Sequence, residues 1–490
     1  MRYTVPVDAP SEVEALVAAG ADELYCGYQD AWWIERYGDH DSATRRQGRA
    51  NISSRDELAQ TAAAARDAGV PLYLALNARY TEPQLDYLKT LCDDFAFMGG
   101  TGIIASDLGL LWRMRGNPRL RRTLSLLAVA QNMPTLAAYR GLGVTRVILP
   151  RFIGPDEAGK LMAAVPRMEG EVMAFFDKCP MVDGYCRHRH GVGYADRSVP
   201  GGTDDAAPLY TFDTIYRTHA CLGTSCDYLD PYPCAACTLP QFSDAGIGFA
   251  KLGGRGRPLE ERLRALRFLH LAEELPDDGA RRELYRQTFG ADCACYYGDA
   301  LQDRSAIQPI AHPDQPGRLY VGSQTDTGEF ERALADVAQG LHASSAERIT
   351  LLVPPLSNES LKTLLLALPA LAKQGPAGMR LCVNDLGTLL LLVSEKREQS
   401  LPFELSFGAL LARLDDPAEI AHFLSAEENP SRAIWDTCGE PRMLMYRQPP
   451  ETLVEHWRRP SLCEPSAQAA LRALTGGMDI TYEFASEHDA

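Results

Sequence analysis

Eight short apolar runs punctuate the first 275 residues, and helical patterns separate them. They are Tyr3 to Val7, Glu23 to Gly27, Leu72 to Leu76, Gly102 to Ala105, Leu124 to Ala130, Val144 to Leu149, Val172 to Phe176 and Ile247 to Ala250. Strands buried on one face alternate apolar with polar residues. Runs without alternation are buried on both faces, as in a parallel sheet covered by helices. Eight such units predict a closed (β/α)8 TIM-like barrel, with an open doubly wound sheet as the alternative. Ser11-Glu-Val-Glu14 and Ser54-Arg-Asp-Glu57 have capping-box spacing, so each is expected to open a helix. A helix is also expected from Leu259 to about Glu274, with Leu259, Leu263, Leu266 and Leu269 on one face.

A chain of 490 residues is too long for one ordinary domain. The barrel is expected over 1–275, with a cysteine-rich insertion at 179–240. A connecting segment follows over 276–316, then a smaller α/β domain over 317–490. That domain carries runs at Leu319 to Gly322, Ile349 to Val353, Met379 to Val383 and Phe403 to Phe407. It also carries a faint repeat. Ile103-Ile-Ala-Ser-Asp107-Leu-Gly109 matches Leu381-Cys-Val-Asn-Asp385-Leu-Gly387, each reading strand, turn and helix. The second domain is therefore expected to be a degenerate copy of part of the first, with a structural or partner-binding role.

Polar residues follow several of the runs: Asn77, Asp107, Gln131, Asn132, Lys251, Arg255 and Arg257. In a barrel, strand ends converge on one face, where sites are built. These seven are the candidate substrate-binding residues. Gly253-Gly254-Arg255-Gly256 adds a backbone that an anion could approach closely.

Six cysteines fall within 59 residues: Cys179, Cys186, Cys221, Cys226, Cys234 and Cys237. No charged segment followed by a long apolar stretch opens the chain, and no run is long enough to span a bilayer. A cytoplasmic location is expected, where clustered cysteines hold metal rather than form disulfides. Only Cys234-x2-Cys237 has the close spacing of a zinc pair. The wider gaps suit an iron–sulfur cluster gathered from several loops, with zinc as the alternative. The net charge of −16 argues against a nucleic-acid partner and for a small-molecule substrate. Arg119, Arg121 and Arg122 are the one basic run considered, and they read as a solvated loop.

Together these motifs resemble the collagenase-like peptidase family U32 over roughly residues 3 to 275. The resemblance rests on Ala18-Ala-Gly-Ala-Asp-Glu-Leu-Tyr-Cys-Gly27, Asn77, Ser106-Asp107-Leu-Gly109, Gln131-Asn132, Leu149-Pro-Arg151, Cys179-x6-Cys186 and Asp244 through Arg255. Where the family reads Lys-Ile-Glu-Gly-Arg, this chain reads Lys251-Leu-Gly253-Gly-Arg255 and lacks the acid. The resemblance implies an oxygen-independent hydroxylase with a four-iron four-sulfur cluster, and prephenate as the source of the hydroxyl oxygen. Relatives of this kind include RNA-hydroxylating enzymes and a protein pair of anaerobic ubiquinone synthesis. Carried onto this chain, Cys179, Cys186, Cys221 and Cys226 are the ligands, with Cys234 and Cys237 as alternatives for the second pair. The acceptor is expected to be a small metabolite. An RNA-modifying hydroxylase and a peptidase remain alternatives, and a homologous subunit is a candidate partner.

Overall fold

The computed structural model describes residues 1–37, 42–46, 48–177, 232–297, 318–320, 334, 350–353, 355–375, 379–383, 385–407, 465–478 and 481–482. Eight parallel strands close into a barrel. They are β1 (Arg2–Pro6), β2 (Glu23–Cys26), β3 (Leu72–Leu76), β4 (Gly102–Ala105), β5 (Arg121–Leu124), β6 (Arg146–Ile148), β7 (Glu169–Phe175) and β9 (Phe249–Leu252). Closure runs through β9, which pairs with β1 and β7, so Lys251 lies beside both Thr4 and Met173. A short strand β8 (Pro233–Cys234) pairs antiparallel to β7 and parallel to β10 (Ala294–Cys295). The fold is the expected (β/α)8 barrel.

Helices cover the barrel after each strand. They are α1 (Val13–Ala18), α2 (Ala31–Tyr37), α3 (Arg55–Asp67), α4 (Glu82–Met98), α5 (Leu108–Met114), α6 (Met133–Gly141), α7 (Pro155–Ala164), α8 (Leu239–Asp244) and α9 (Leu259–Glu273). Helix α4 shows why such a segment folds. Thr81 and Gln84 form a reciprocal capping box, and Gly99 ends the helix at φ +100°. Leu85, Leu88, Cys92 and Phe95 lie on one buried face. Burying each large apolar side chain there contributes about 1.5–3 kcal/mol. Ser54 caps α3 as expected, accepting from Glu57 N at 3.2 Å. Ser11 does not cap: a 3-10 turn (Pro10–Glu12) precedes α1, and Glu12 instead accepts from Asp8 N.

Two elements depart from the sequence expectation. Strand β5 ends at Leu124, where the apolar run read as a strand begins, and Leu126–Ala128 forms a 3-10 turn instead. The arginines at 121 and 122 are therefore in the barrel wall, not in a solvated loop. Arg121 pairs with Glu169 at 2.7 Å, and Arg122 donates to the carbonyls of Gly143, Met114 and Asn117. The segment after α9 does more than connect. Helix α10 (Asp278–Phe289) packs on α9, and β10 joins the barrel's sheet through β8.

A second, five-stranded parallel sheet comprises β11 (Arg318–Tyr320), β12 (Thr350–Val353), β13 (Arg380–Val383), β14 (Glu404–Phe407) and β15 (Thr481–Tyr482). Its helices are α11 (Asn358–Gln374), α12 (Leu386–Gln399) and α13 (Pro465–Leu474). Helix α12 packs on α6 and α13 on α5. Among the described residues, no helix is long and apolar enough to cross a membrane.

Candidate active site at the barrel mouth

The barrel is not filled by apolar side chains alone. Arg146 on β6 is fully buried and grips Glu23 on β2 with two hydrogen bonds, of 2.5 and 2.9 Å. Its Nε donates to Glu169 at 3.0 Å, and it lies 3.5 Å from Glu171 on β7. Phe249 packs its ring face on the same guanidinium, 3.4 Å from the centroid. Above this layer comes Lys251 on β9. Its Nζ is 3.8 Å from Glu171 Oε1 and 3.2 Å from the centre of the Tyr25 ring. Neither Lys251 Nζ nor Glu171 Oε1 has a hydrogen-bond partner among the described residues. Burial lowers the Lys251 pKa to about 8, and the Glu171 charge opposes that shift only in part.

Arg255 follows β9 and turns back into the barrel. Only 6% of it is exposed, yet among the described residues no carboxylate pairs with it. Its Nη2 donates to Thr44 O at 2.9 Å, and its Nη1 has no partner among the described residues. Burial, and then the charge of Arg46, lower its pKa to about 10. Gly27 makes the approach feasible, because a Cβ there would lie 2.3 Å from Arg255 Nη1. A buried guanidinium with an unused N–H is a receptor for an anion. Arg257 differs. It pairs with Glu261 at 3.2 Å and Asp177 at 3.9 Å, and it lies over the Phe176 and Tyr232 rings. The protein itself engages that cation.

Asp177 ties the mouth together. Its Oδ2 accepts from Gly254 N and from Arg46 Nη2, both at 2.7 Å. Arg151, at the end of β6, donates to its carbonyl oxygen. Burial alone would raise the Asp177 pKa, but Arg46, Arg257, the Gly254 N–H and Arg151 outweigh it and hold the carboxyl below the usual carboxylate range. Phe176 and Asp177 both adopt positive φ, +60° and +50°, which non-glycine residues rarely do. The chain is held in this strained turn where β7 ends. Gly253 leaves the necessary room: a Cβ there would lie 2.7 Å from Asp177 Oδ2.

The remaining candidates divide. Asn77 Oδ1 and Gln131 Nε2 are buried without hydrogen-bond partners among the described residues, as groups awaiting a ligand would be. Asp107 is the N-cap of α5, bonding Leu110 N at 2.8 Å, and also accepts from Tyr80 N. Asn132 caps α6 through Thr135 N, and its amide donates to Asp385 and to Leu356 O. The side chains of Asp107 and Asn132 therefore hold helix ends. Sequence reasoning missed Glu171, Asp177, Arg46 and Thr44 as site residues. A signal existed for the first: Glu23, Arg146 and Glu171 are ionisable residues inside otherwise apolar strands.

Cys179, Cys186, Cys221 and Cys226 lie outside the described residues. Cys234 is described. It is buried on β8, opposite Phe175 at the end of β7, so it borders the mouth. Ala236 N donates to its sulfur at 3.3 Å, while burial first and then the neighbouring Cys293 push its thiol pKa up. A backbone N–H aimed at sulfur suits a thiolate ligand. Cys237 is half-buried. Among the described residues, no three metal-binding side chains gather at one point.

The model of Peptidase family U32 matches residues 9–283, more than half of the chain. This protein belongs to peptidase family U32. Among curated relatives, the tRNA hydroxylation protein P of Haemophilus influenzae (strain ATCC 51907 / DSM 11121 / KW20 / Rd) is 32% identical over 172 residues, covering 34% of this chain and 36% of that protein. The tRNA hydroxylation protein P of Escherichia coli (strain K12) is 32% identical over 122 residues, covering 24% and 26%. The chain thus matches about a third or less of the length of these relatives. Among solved structures, the U32 peptidase Mk0906 aligns at 14% identity and a TM-score of 0.29, over 36% of this chain and 68% of that one.

Proposed function

We propose that this U32 protein is an oxygen-independent hydroxylase whose reaction takes place at the barrel mouth. The observation that carries the reading is Arg255, a buried guanidinium that has no acid partner and an unused N–H among the described residues, placed beside Lys251. Two cations this close repel one another unless an anion joins them. Arg255 grips a carboxylate of the substrate or of the oxygen donor, for which prephenate is the candidate, and Lys251 adds a point charge. Asn77 and Gln131 offer the neutral contacts that orient it. Arg257 and Asp177 shape the rim rather than touch the ligand.

Cys179 and Cys186, with two of Cys221, Cys226, Cys234 and Cys237, hold a four-iron four-sulfur cluster in this reading. The buried Cys234 sulfur with its backbone donor fits such a ligand. When bound, the cluster supplies one-electron redox chemistry. The chain's own residues bind the anion, hold it in a water-poor barrel and keep its carboxylate oriented.

The acceptor is a small metabolite in the first reading. The names of the two curated relatives favour a second, in which it is tRNA. One experiment separates them. In a deletion strain grown without oxygen, the first reading expects a small-molecule precursor to accumulate while tRNA nucleosides stay unchanged. Loss of a hydroxylated nucleoside with no metabolite change supports the second. If neither changes and the purified protein cleaves peptides, the family's peptidase label describes it better.

A further inference from the structure

The two sheets of the chain are joined in an unusual way. Strands β3 to β6 and strands β12 to β15 run in chain order as parallel neighbours. Helix α4, after β3, and helix α11, after β12, each have 17 residues. The next turns are Asp107-Leu-Gly109 and Asp385-Leu-Gly387, and each aspartate caps its helix, bonding Leu110 N and Thr388 N at 2.8 Å. Among the described residues, the helix between β5 and β6 and the helix between β14 and β15 also correspond. Thr135-Leu-Ala-Ala-Tyr-Arg-Gly-Leu-Gly143 in α6 aligns with Ala467-Gln-Ala-Ala-Leu-Arg-Ala-Leu-Thr475 in α13, sharing two alanines, the arginine and a leucine.

These equivalences make α12 the counterpart of α5, and α13 the counterpart of α6. The contacts then become reciprocal. Helix α5 packs on α13, and α12 packs on α6. The match extends to single residues. A Cβ on Gly387 would lie 2.2 Å from Thr135 N, and a Cβ on Gly109 would lie 3.3 Å from Ala467 N. Gly109 and Gly387 are equivalent, and so are Thr135 and Ala467. A contact from i to j accompanied by one from j′ to i′ is the signature of a two-fold, isologous interface. Both joints are further locked by polar groups. In the α5–α13 joint, Arg113 Nε donates to Ser466 Oγ and Ser466 N donates to Glu82 Oε1, both at 2.7 Å. Gly387 N donates to Thr135 Oγ1 at 2.8 Å, and Asp385 accepts from Asn132 Nδ2 at 2.9 Å and Thr135 Oγ1 at 3.0 Å.

We propose that the α5–α6 face of the barrel is a self-recognition surface, whose fitting partner is a second copy of the same strand–helix unit. In this chain the C-terminal half supplies that copy in cis. Its α12 and α13 occupy the positions that α5 and α6 of another barrel would take. Glycine at 109 and 387 is what lets the helix starts meet backbone to backbone. The surface is separate from the Lys251–Arg255 site, so it stands or falls independently of the function proposed above.

The test uses the full chain. Gly387→Glu places a Cβ and a second carboxylate against Thr135 and Asp385, and Ser466→Glu sets a carboxylate against Glu82; together they open both cis joints while α5 and α6 stay native. Asp385→Ala with Ser466→Ala loosens both joints without a clash and serves as the second variant if the first does not fold. By analytical ultracentrifugation, the opened chain is expected at twice the mass of the wild type. Adding Thr135→Arg to the opened chain blocks the α5–α6 face and is expected to return it to the wild-type mass, whereas Leu366→Arg, at an exposed position on α11, should leave the association intact. An opened chain that keeps the wild-type mass overturns the proposal, and so does association that survives Thr135→Arg.

Discussion

The Asp177 carboxylate occupies the space that a side chain at Gly253 would need: a Cβ on Gly253 would sit 2.7 Å from Asp177 Oδ2. The carboxylate that fills this space comes from the end of β7. It reaches Gly254 N, Arg46 and Arg257 from there. The mouth takes its carboxylate from Asp177 rather than from position 253, and in space the two positions are exchangeable.

That exchange can be tested by swapping it back. Gly253→Glu forces two buried carboxylates together and overpacks the turn, which costs roughly 1–3 kcal/mol or more. Asp177→Gly leaves Arg46 and the Gly254 N–H without their acceptor, at a similar cost. The double variant should recover at least half of the summed loss in urea unfolding. Strictly additive losses would show that the two positions do not share one space.

Arg255→Met removes a buried charge that has no acid partner. Unfolding should therefore become harder or stay unchanged, while carboxylate binding drops at least about tenfold, for a charge-assisted bond of roughly 1.5–3 kcal/mol. Arg255→Lys keeps the charge but loses the fork, so binding should weaken at an unchanged melting temperature. Calorimetric titration with prephenate, alongside thermal melts, measures both. A variant that melts early yet binds normally once folded would assign Arg255 a structural role.

Much of this was legible in the sequence, for a physical reason. Parallel strands buried on both faces are apolar without alternation, so the eight runs announced the barrel, and Lys251 and Arg255 stood out against them. Strand β5 was misplaced because Arg121 and Arg122 look like solvent-facing residues. In the fold, Arg122 instead satisfies carbonyl oxygens at neighbouring helix and strand ends. Asp177 and Glu171 escaped because their roles depend on how β7 meets β9 at the closure, a register that no local pattern encodes. Asp107 and Asn132 were read as mouth residues by position after their strands. Position after a strand is also position before a helix, and there capping chemistry uses the same side chains.

Lys251 should make stability depend on pH in a defined direction. Its folded pKa is lowered to about 8 from 10.5, so between those values the unfolded chain binds more protons than the folded one. Stability should then rise with pH from about 8 to 10.5, by no more than about 3 kcal/mol. Below pH 8 the cost of the buried charge is constant. Lys251→Met should remove this slope in urea titrations at several pH values. An unchanged slope would mean that Lys251 is not the titrating group.

Asp385 gathers donors from both halves of the chain: Asn132, Thr135, Thr388 and Leu356 N. Asp385→Ala leaves them buried without an acceptor, and each such group costs about 1–3 kcal/mol. Amide exchange in α12 should accelerate, while β1 and β9 keep wild-type protection. Uniform acceleration throughout the barrel would show that the halves unfold as one unit.

The most direct test of the central claim is the iron and acid-labile sulfide content of full-length protein purified without oxygen. The account expects about four of each per chain. It also expects both to be lost in Cys179→Ala and Cys186→Ala while the barrel's thermal transition remains. Stoichiometric zinc with neither iron nor sulfide would contradict it.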